Sequence, residues 1–275
     1  MKNDVKSELI LEISKGFKRN SGLLKEVKKI GRNIKQTSIK ITDKDLSQKI
    51  GRDVGSYISL SFDDLLYYDY NAKELLCAGI TKAIKQILHE DNLRPKKIFV
   101  VGLGNEKYAC DSLGKRVVDK ILVTKPYLER NLFNSKQMAE IYAISLGVYG
   151  TTGLESSETI KNICKALKPD LLIAIDSLVA SDAKTLSKSV QISNTKLSPG
   201  GGVGNNRKEI SEELLGVKVV AIGVPLVVRY EENHDLIVTA KDIEEKVGQL
   251  SKIIAKAINL CFCNLSKREY LELTN

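Results

Sequence analysis

The sequence predicts an α/β protein with a mostly parallel central sheet and helices on both faces. Three short apolar runs, at residues 98–103, 171–175 and 219–225, have the composition of strands buried on both faces of a parallel sheet. Segments with the helical spacing of apolar residues stand before, between and after these runs. Such alternation of strands and helices is typical of a parallel sheet that helices cover on both sides.

The remaining elements follow from local spacing and from residues that begin helices. Residues 57–62 alternate in the manner of a half-buried strand. Apolar residues at helical spacing predict four helices, over residues 72–89, 113–122, 159–167 and 239–260. Ser156 is the expected cap of the third of these helices, and Thr239 and Asp242 are the expected capping pair of the last.

The chain has 275 residues, enough for one large domain or two small ones. We divide it into a basic N-terminal segment with weak helical periodicity, residues 1–37, and a single α/β domain, residues 38–275. Lys and Arg number 43 against 34 Asp and Glu, a net charge of +9, and much of the excess falls before position 41. Such a segment could meet an acidic protein or nucleic acid. Because aromatic residues that stack on bases are nearly absent there, we interpret it as a solvated lysine-rich face and expect no direct nucleic-acid role.

What the sequence lacks argues against several classes of protein. No apolar run reaches the roughly 18–20 residues that span a bilayer, and the N-terminus has no signal-peptide pattern, so we expect a cytoplasmic protein. The cysteines are odd in number and scattered, which argues against a disulfide framework or a zinc site. The two histidines, His89 and His234, lie in no motif, which argues against a Ser-His-Asp triad. We expect no metal and no cofactor.

Two aspartates, Asp111 and Asp176, are the strongest candidates for catalysis. Each follows a predicted strand, and loops beyond the carboxyl ends of parallel strands form the usual site of an open α/β sheet. Two carboxyl groups brought together there can share a proton and activate a water molecule. Taken singly, Asp111 could instead cap the helix that starts near Leu113, and Asp176 the turn after its strand. Cys110 is a second candidate nucleophile, but no histidine lies near it in sequence.

Two glycine-rich stretches are candidates for ligand contact. The first, residues 102–105, resembles half of a dinucleotide-binding fingerprint, but Lys107 stands where the third glycine would be, and a tight turn is the alternative. The second, residues 198–208, combines glycines with Arg207 and Lys208. A ligand- or peptide-contacting loop is favoured there over a flexible surface loop, because charge stands beside exposed amides. It lacks the Gly-Lys-Ser/Thr of a phosphate-binding P-loop.

Several longer motifs are more specific than either glycine pattern. In order along the chain they are VGLGN (101–105), DSLG (111–114), ILVTK (121–125), GVYGTTGLES (147–156), KPDLLIAIDSL (168–178), VQISNT (190–195), SPGGGVGNNRKEI (198–210) and LGVKVVAIGVPLVV (215–228). Together with weaker matches at residues 50–62 and 238–259, they make the chain resemble the germination protease family of spore-forming bacteria over residues 38–262.

The resemblance implies an atypical aspartic endopeptidase that degrades small acid-soluble spore proteins during germination. It also implies a homotetramer and a phosphorylase/hydrolase-like α/β fold, as in hydrogenase-maturation peptidases. The family's two essential aspartates fall at Asp111 and Asp176. One would activate water; the other, protonated, would polarise the peptide carbonyl and later protonate the leaving amine, and which does which is left open. Residues expected to bind substrate or shape the site are Gly102, Gly104, Asn105, Glu155, Gln191, Gly202, Gly204 and Asn205.

The family is made as a zymogen that trims its own N-terminus at a site resembling its substrates. Residues 6–12 resemble that region, so the start of the basic segment is a candidate propeptide. We expect autoprocessing between Glu8 and Leu9.

The chain departs from the family pattern at four places. Ala109-Cys110 stands for Thr-Pro, Lys125-Pro126 for Arg-His, and Ser198 for His. Family members carry a long segment between the last apolar run and the final helix, whereas here only residues 229–237 connect the two. Both aspartates are retained, so a self-processing endopeptidase is our first hypothesis. A catalytically inactive relative that binds such proteins is the alternative, and a maturation-type peptidase with a metal-dependent substrate is a third.

Overall fold

One large sheet organises the chain in a computed structural model, which describes residues 7–16, 22–132, 138–200, 208–229, 236–265 and 267–274. The strands are β1 (Leu23–Lys29), β2 (Ile34–Ile41), β3 (Gly55–Phe62), β4 (Lys97–Gly102), β5 (Glu140–Ser145), β6 (Leu171–Ala180), β7 (Ser189–Ser193), β8 (Lys218–Arg229) and β9 (Ile237–Val238). The helices are α1 (Ile10–Ile13), α2 (Lys44–Ile50), α3 (Tyr70–Glu90), α4 (Leu113–Val118), α5 (Lys125–Glu129), α6 (Tyr149–Thr152), α7 (Ser156–Leu167), α8 (Glu212–Leu215), α9 (Ile243–Phe262) and α10 (Lys267–Thr274).

The strands that the structure describes have the order β1-β2-β3-β7-β8-β6-β4-β5, with β9 added to β8. The part β5-β4-β6-β8 is parallel. The other strands extend it through antiparallel ladders, which the sequence patterns did not predict. The apolar runs predicted at residues 98–103, 171–175 and 219–225 are confirmed as β4, β6 and β8. The α/β fold class is confirmed with them.

Helices cover both faces of the sheet. On one face α3, α4 and α9 pack against the strands, and Ile80 and Ile254 are fully buried there. On the other face α7 and α8 cover β4, β6 and β8 through residues such as Ile160. On that same face α1 and α2 cover β1 to β3 through Ile10 and Ile50. A groove between these two helical layers runs over β7 and β8.

Residues 23–41 form the two strands β1 and β2, although their basic composition predicted a separate N-terminal segment. The expected boundary between residues 37 and 38 falls inside β2, which pairs along its whole length with β3. β1 pairs in turn with β2, and beyond Leu23 its side chains are mostly exposed. Lysines suit such an edge strand because their charge opposes pairing with a further chain. Backbone pairing, which composition does not reveal, thus joins this segment to the sheet.

The four predicted helices are confirmed as α3, α4, α7 and α9, but α4 ends at residue 118 rather than 122. The predicted caps are wrong. Glu155, not Ser156, is the N-cap residue of α7, and Thr239 Oγ1 donates to the β8 backbone (2.7 Å). Asp242 is the N-cap residue of α9, yet its side chain pairs with Lys246 instead of a backbone amide. Among the described residues, no helix combines the length and apolar character that a membrane crossing requires.

The turn after β4 depends on two glycines that touch. A Cβ atom placed on Gly102 would lie 2.2 Å from the carbonyl O of Gly114, and one placed on Gly114 would lie 2.3 Å from Leu103 N. Side chains of any other residue type have no room there, so the end of β4 and the start of α4 pack backbone against backbone. This contact positions the loop of residues 103–112, which carries Asp111.

We expect Gly102→Ala and Gly114→Ala each to lower the free energy of unfolding by about 1–3 kcal/mol or more, because a methyl group overpacks the contact. Urea denaturation followed by circular dichroism measures the change. Gly150→Ala in α6 is the matched control, because an added Cβ there has no atom within 4 Å. Alanine should stabilise that position by about 0.5–1 kcal/mol. Equal effects of the three substitutions would contradict the close contact.

Candidate active site

Asp176 lies in the body of β6, at the point where its neighbour β4 ends. The β4–β6 ladder stops at the pair Gly102–Ile175, whereas β6 continues to Ala180. Asp176 is therefore the first residue of β6 beyond that ladder, and it is not a turn cap, because its strand continues past it. Its side chain is 5% exposed, and its Oδ1 accepts the amide of Ser177 at 2.8 Å.

Asp111 lies on the loop that follows β4. It ends the 3₁₀ turn Ala109–Asp111, and Ser112, not Asp111, is the N-cap residue of α4. Its Oδ2 accepts the amide of Asn105 at 2.8 Å. Gly104 has a φ of +110°, and a Cβ atom added to it would lie 2.1 Å from the Asp111 carbonyl O. The predicted site residues Gly104 and Asn105 thus form a tight turn that contacts Asp111.

The two aspartates lie close enough for the charge of one to act on the other. Burial raises the pKa of Asp176 well above its ordinary value, and the charges of Asp111 and Glu8 raise it further. Burial also raises the pKa of Asp111, although the hydrogen bond from the Asn105 amide opposes this shift. Asp176 is therefore the carboxyl group that retains a proton more readily, and Asp111 is the one that ionises first.

Cys110, the second candidate nucleophile, lacks the surroundings of a reactive thiolate. Burial and then the charge of Asp111 raise the pKa of its thiol, so the neutral thiol predominates at neutral pH. Within the ranges that the structure describes, no three His, Cys, Asp or Glu side chains are grouped as a metal site requires. The charged groups that act on Asp176 are the carboxyl groups of Asp111 and Glu8.

Residues 7–16, which we call the N-terminal segment, lie along the part of β6 that extends beyond β4. Glu8 N donates to Val179 O (2.9 Å), and Val179 N donates to Glu8 Oε2 (2.7 Å). Farther along, the Ser181 amide donates to Glu12 Oε2 (2.8 Å). Backbone groups at a strand edge need hydrogen-bond partners, and the segment supplies them here.

Gln191 binds the N-terminal segment from the other side. Asp176, Gly223 and Gln191 are paired in register across β6, β8 and β7, so they share one face of the sheet. Gln191 Nε2 donates to the carbonyl O of Glu8 (3.2 Å), and its Oε1 accepts the amide of Ile10 (2.8 Å). The predicted site residue Gln191 therefore brackets the bond at which we expect autoprocessing.

The Leu9 side chain fills an apolar pocket and is 3% exposed. The side chains of this pocket are those of Leu178, Ala180, Leu186 and Val228. Arg52 also holds the segment, because its Nη2 donates to the carbonyl O of Ser7 (2.6 Å). The sequence predicted Leu9 as part of the processing site, but it predicted neither Arg52 nor the residues of this pocket. Arg52 lies in the weak motif at residues 50–62, and Leu178 ends the motif at 168–178, which were the available signals.

A cavity of ≈ 370 Å³ opens beside the segment. Its lining includes Glu8, Arg52, Tyr57, Gln191 and Gly223. A two-residue bridge between Leu197 and Ile210 closes the base of the glycine-rich loop at the rim of this cavity. The predicted site residues Gly202, Gly204 and Asn205 belong to that loop and lie outside the described residues.

Glu155, like Asp111 and Asp176, is not among the residues that line this cavity. Its backbone O accepts Thr159 Oγ1 (3.1 Å) within α7, and its charge acts on Lys208. A larger surface cavity, ≈ 1390 Å³, lies beside Lys96 and Glu140, where β4 and β5 begin. Because ligands of parallel sheets bind at the carboxyl ends of the strands, the groove lined by Gly223, the β8 partner of Asp176, is the better candidate for the active site.

The raised pKa of Asp176 makes the stability of the fold depend on pH. The stability that protonated Asp176 contributes is complete below the pKa that this carboxyl group has in the unfolded chain. It is lost as the pH rises through the higher pKa of the same group in the folded state. Asparagine does not ionise, so we expect Asp176→Asn to raise the free energy of unfolding at pH 7.5 relative to wild type and to have less effect near pH 4. Urea denaturation at several pH values measures the difference. The control is Asp45→Asn, at an exposed position of α2; a pH-independent effect of Asp176→Asn would contradict the assignment.

Comparisons with known proteins identify relatives of the chain. A family model described as "Germination protease" matches residues 14–232, a range that includes both aspartates. The germination protease of Caldanaerobacter subterraneus subsp. tengcongensis is 37% identical over 257 residues, which cover 92% of this chain and 76% of that protein. The germination protease of Clostridium perfringens is 28% identical over 310 residues and covers 94% of each chain.

Among solved structures, the nickel–iron hydrogenase maturation protease HycI from Thermococcus kodakarensis aligns with 60% of this chain and 94% of its own. The alignment has 17% sequence identity and a TM-score of 0.38. The match of the family model over most of the sequence, together with the relative that is 37% identical, decides the assignment. This chain belongs to the germination protease family.

Proposed function

We propose that this chain is an endopeptidase that hydrolyses peptide bonds by means of Asp111 and Asp176. The observation that carries the proposal is the position of its own Glu8, whose carbonyl is held by Gln191 and whose charge acts on Asp176. Two carboxyl groups of unequal pKa, one of them acted on by the charge of Glu8, suit general acid–base hydrolysis of the adjoining peptide bond. Membership of the germination protease family supports the same activity.

In this proposal Asp111 is the general base and Asp176 is the general acid. Asp111 takes a proton from a water molecule, whose oxygen attacks the carbonyl carbon of the substrate. The proton of Asp176 and the amide of Gln191 stabilise the charge that develops on the carbonyl oxygen. Asp176 gives its proton to the leaving nitrogen as the C–N bond breaks, and the intermediate collapses to a carboxylic acid. Asp111 then releases the proton taken from water and Asp176 takes up a proton, which restores both groups.

The same chemistry would process the chain's own N-terminus between Glu8 and Leu9. While the N-terminal segment is intact, it covers the edge of β6 where a substrate would bind, so the uncut chain is a zymogen. Cleavage allows residues 1–8 to leave. Their departure removes the charge of Glu8 from beside Asp176 and opens the groove.

The substrates that we propose are the small acid-soluble proteins of spores, because the family that this chain resembles acts on them. A net charge of +9 favours the approach of acidic proteins. On the same resemblance we propose that the protein is a homotetramer. We also propose that it is located in the cytoplasm, the compartment that becomes the core of the spore. Neither a cofactor nor nucleic acid has a role in this proposal.

Asp111→Asn and Asp176→Asn are each expected to slow cleavage by at least ~10³-fold, because either change removes a proton-transfer group. Purified protein is incubated with a small acid-soluble spore protein, and both chains are followed by intact mass spectrometry. A self-cleavage product that begins at Leu9 identifies the processing site. Asp45→Asn should cleave at the wild-type rate.

Absence of cleavage by folded wild-type protein would reject the endopeptidase proposal. The chain would then be a non-catalytic relative that binds the same proteins in its groove. The changes at residues 109–110, 125–126 and 198 would be the leading differences from active members.

Gln191→Glu tests the contact with the carbonyl. Glutamate keeps an acceptor for the Ile10 amide but loses the donor to the Glu8 carbonyl oxygen. We expect the single-turnover rate of self-cleavage to fall by roughly 10²-fold, the usual effect of removing one such donor. Gln249→Glu, in α9 on the opposite face of the sheet, is the control. A rate within about twofold of wild type would show that Gln191 has no such role.

A further inference from the structure

The cavity of ≈ 1390 Å³ at the amino ends of β4 and β5, which we call the second groove, takes no part in the mechanism above. Helices α3, α5 and α9 end beside it, and their last turns contribute to its lining. Asp111 and Asp176 lie instead beyond the carboxyl end of β4. The six residues of that strand span about 20 Å, at roughly 3.3 Å per residue. The second groove is therefore separate from the candidate active site.

The wall of the second groove is apolar. Met138 is buried in it, and Leu93, Leu128 and Phe262 are partly buried against the same hydrophobic core. Leu132 also lines the groove and is 59% exposed. Apolar side chains of a partner would lose contact with water on this surface, which favours binding.

Three basic side chains, those of Lys85, Arg94 and Lys96, line the same groove and are exposed. Within the described part of the chain, none of the three forms an ion pair with an acidic side chain. Glu140, which also lines the groove, is paired with two other lysines. The carbonyl groups at the end of α3 attract cations, but Arg94 and Lys96 lie beyond that helix. The groove thus combines an apolar wall with positive charge that an acidic partner would complement.

The size of the second groove suits a peptide segment better than a small molecule. Pockets that bind small ligands usually measure about 300–1,000 Å³. Two turns of an α-helix, about 11 Å long and 10 Å across, occupy roughly 850 Å³. The groove, at ≈ 1390 Å³, has room for such a segment.

We propose that the second groove binds an acidic amphipathic segment of a protein substrate, away from the bond that is cut. Apolar side chains at helical spacing would lie against the wall, and carboxylates would face the basic residues, as in other helices that dock in grooves. This inference rests on the endopeptidase activity proposed above, and it adds a second contact with the same substrate chain.

A second contact acts only on substrates long enough to make it. Extended chain advances about 3.3 Å per residue, so more than roughly six residues must separate the cleaved bond from the docked segment. A protein can meet this requirement, and its second contact then forms at a high effective concentration. A short peptide around the cleaved bond reaches the active site alone. The second groove should therefore lower KM for a protein and leave a short peptide unaffected.

The first test reverses three charges in one chain, as Lys85→Glu, Arg94→Glu and Lys96→Glu. We expect KM for a small acid-soluble spore protein to rise about tenfold or more at unchanged kcat, because three ion pairs with the substrate become repulsions. For a synthetic peptide that copies residues 4–16, kcat/KM should stay within about twofold of wild type.

A matched control separates docking from the effect of net charge. Lys29→Glu, Lys35→Glu and Lys44→Glu, at exposed positions of β1, β2 and α2, change the net charge by the same amount. This chain should keep the KM of wild type for the protein to within about twofold. Thermal unfolding verifies that both chains are folded.

Leu132→Asn tests the apolar half of the contact. We expect KM for the protein to rise about fivefold, because a leucine side chain no longer packs against the docked segment. Leu24→Asn on β1 is the matched control, since Leu24 is 57% exposed and Leu132 is 59% exposed. Leu24→Asn should leave KM unchanged.

A binding measurement locates the contact without cleavage. The chain contains no tryptophan, so Phe262→Trp places its single indole in the second groove. The probe is a synthetic peptide of Leu and Glu at helical spacing, and its analogue has Gln in place of Glu. We expect the Glu peptide to shift the indole emission with a Kd about tenfold lower than that of the Gln peptide. Tyr68→Trp, at a position that is 81% exposed and outside the groove, should report no shift.

An unchanged KM for the protein in the charge-reversed chain, or an equal rise in its control, would overturn the docking proposal and leave the endopeptidase proposal intact. A loss for the short peptide as large as that for the protein would overturn it as well. If neither substrate is cleaved by wild type, the endopeptidase proposal fails, and the second groove is judged by the titration alone. Equal Kd values for the Glu and Gln peptides then overturn it.

Discussion

The site depends on the unequal lengths of β4 and β6. Residues 176–180 of β6 extend beyond the last pair with β4, and their backbone groups on that edge need other partners. Asp176 satisfies the amide of Ser177, and Glu8 satisfies both backbone groups of Val179. One difference in strand length therefore brings together a buried carboxyl group, an open strand edge and a bound segment of chain.

Close backbone contacts bring the second carboxyl group to this edge. Gly102 and Gly114 allow the end of β4 to touch the start of α4, and Gly104 allows the following turn to press against Asp111. The result is a chemical asymmetry between the two aspartates. Asp176 is more deeply buried and has charged neighbours, whereas Asp111 receives a backbone amide, so their affinities for a proton differ. The opposite roles that we propose for two residues of the same type rest on these surroundings.

Sequence patterns predicted those strands and helices whose burial is reflected in their own residue composition. The strands β4, β6 and β8 are covered on both faces, so they read as continuous apolar runs, and α3 and α9 show the helical spacing of a half-buried helix. β1 and β2 were missed because an edge strand and its neighbour can be rich in lysine and still pair fully. The caps predicted for α9 were wrong because Thr239 donates to the β8 backbone and Asp242 pairs with the Lys246 side chain of the same helix, so neither side chain accepts a helix amide.

The sequence by itself determined which residue types are present and in what local frames: two aspartates after apolar runs, a glycine turn beside the first, and a Glu8–Leu9 pair near the start. Only the tertiary structure decided that these groups meet. Gln191 and Glu8 are 183 residues apart, and Glu12 and Ser181 are 169 apart. Contacts over such separations depend on strand order, register and strand length. No local pattern specifies these, because the pairing of distant strands depends on how the whole sheet packs.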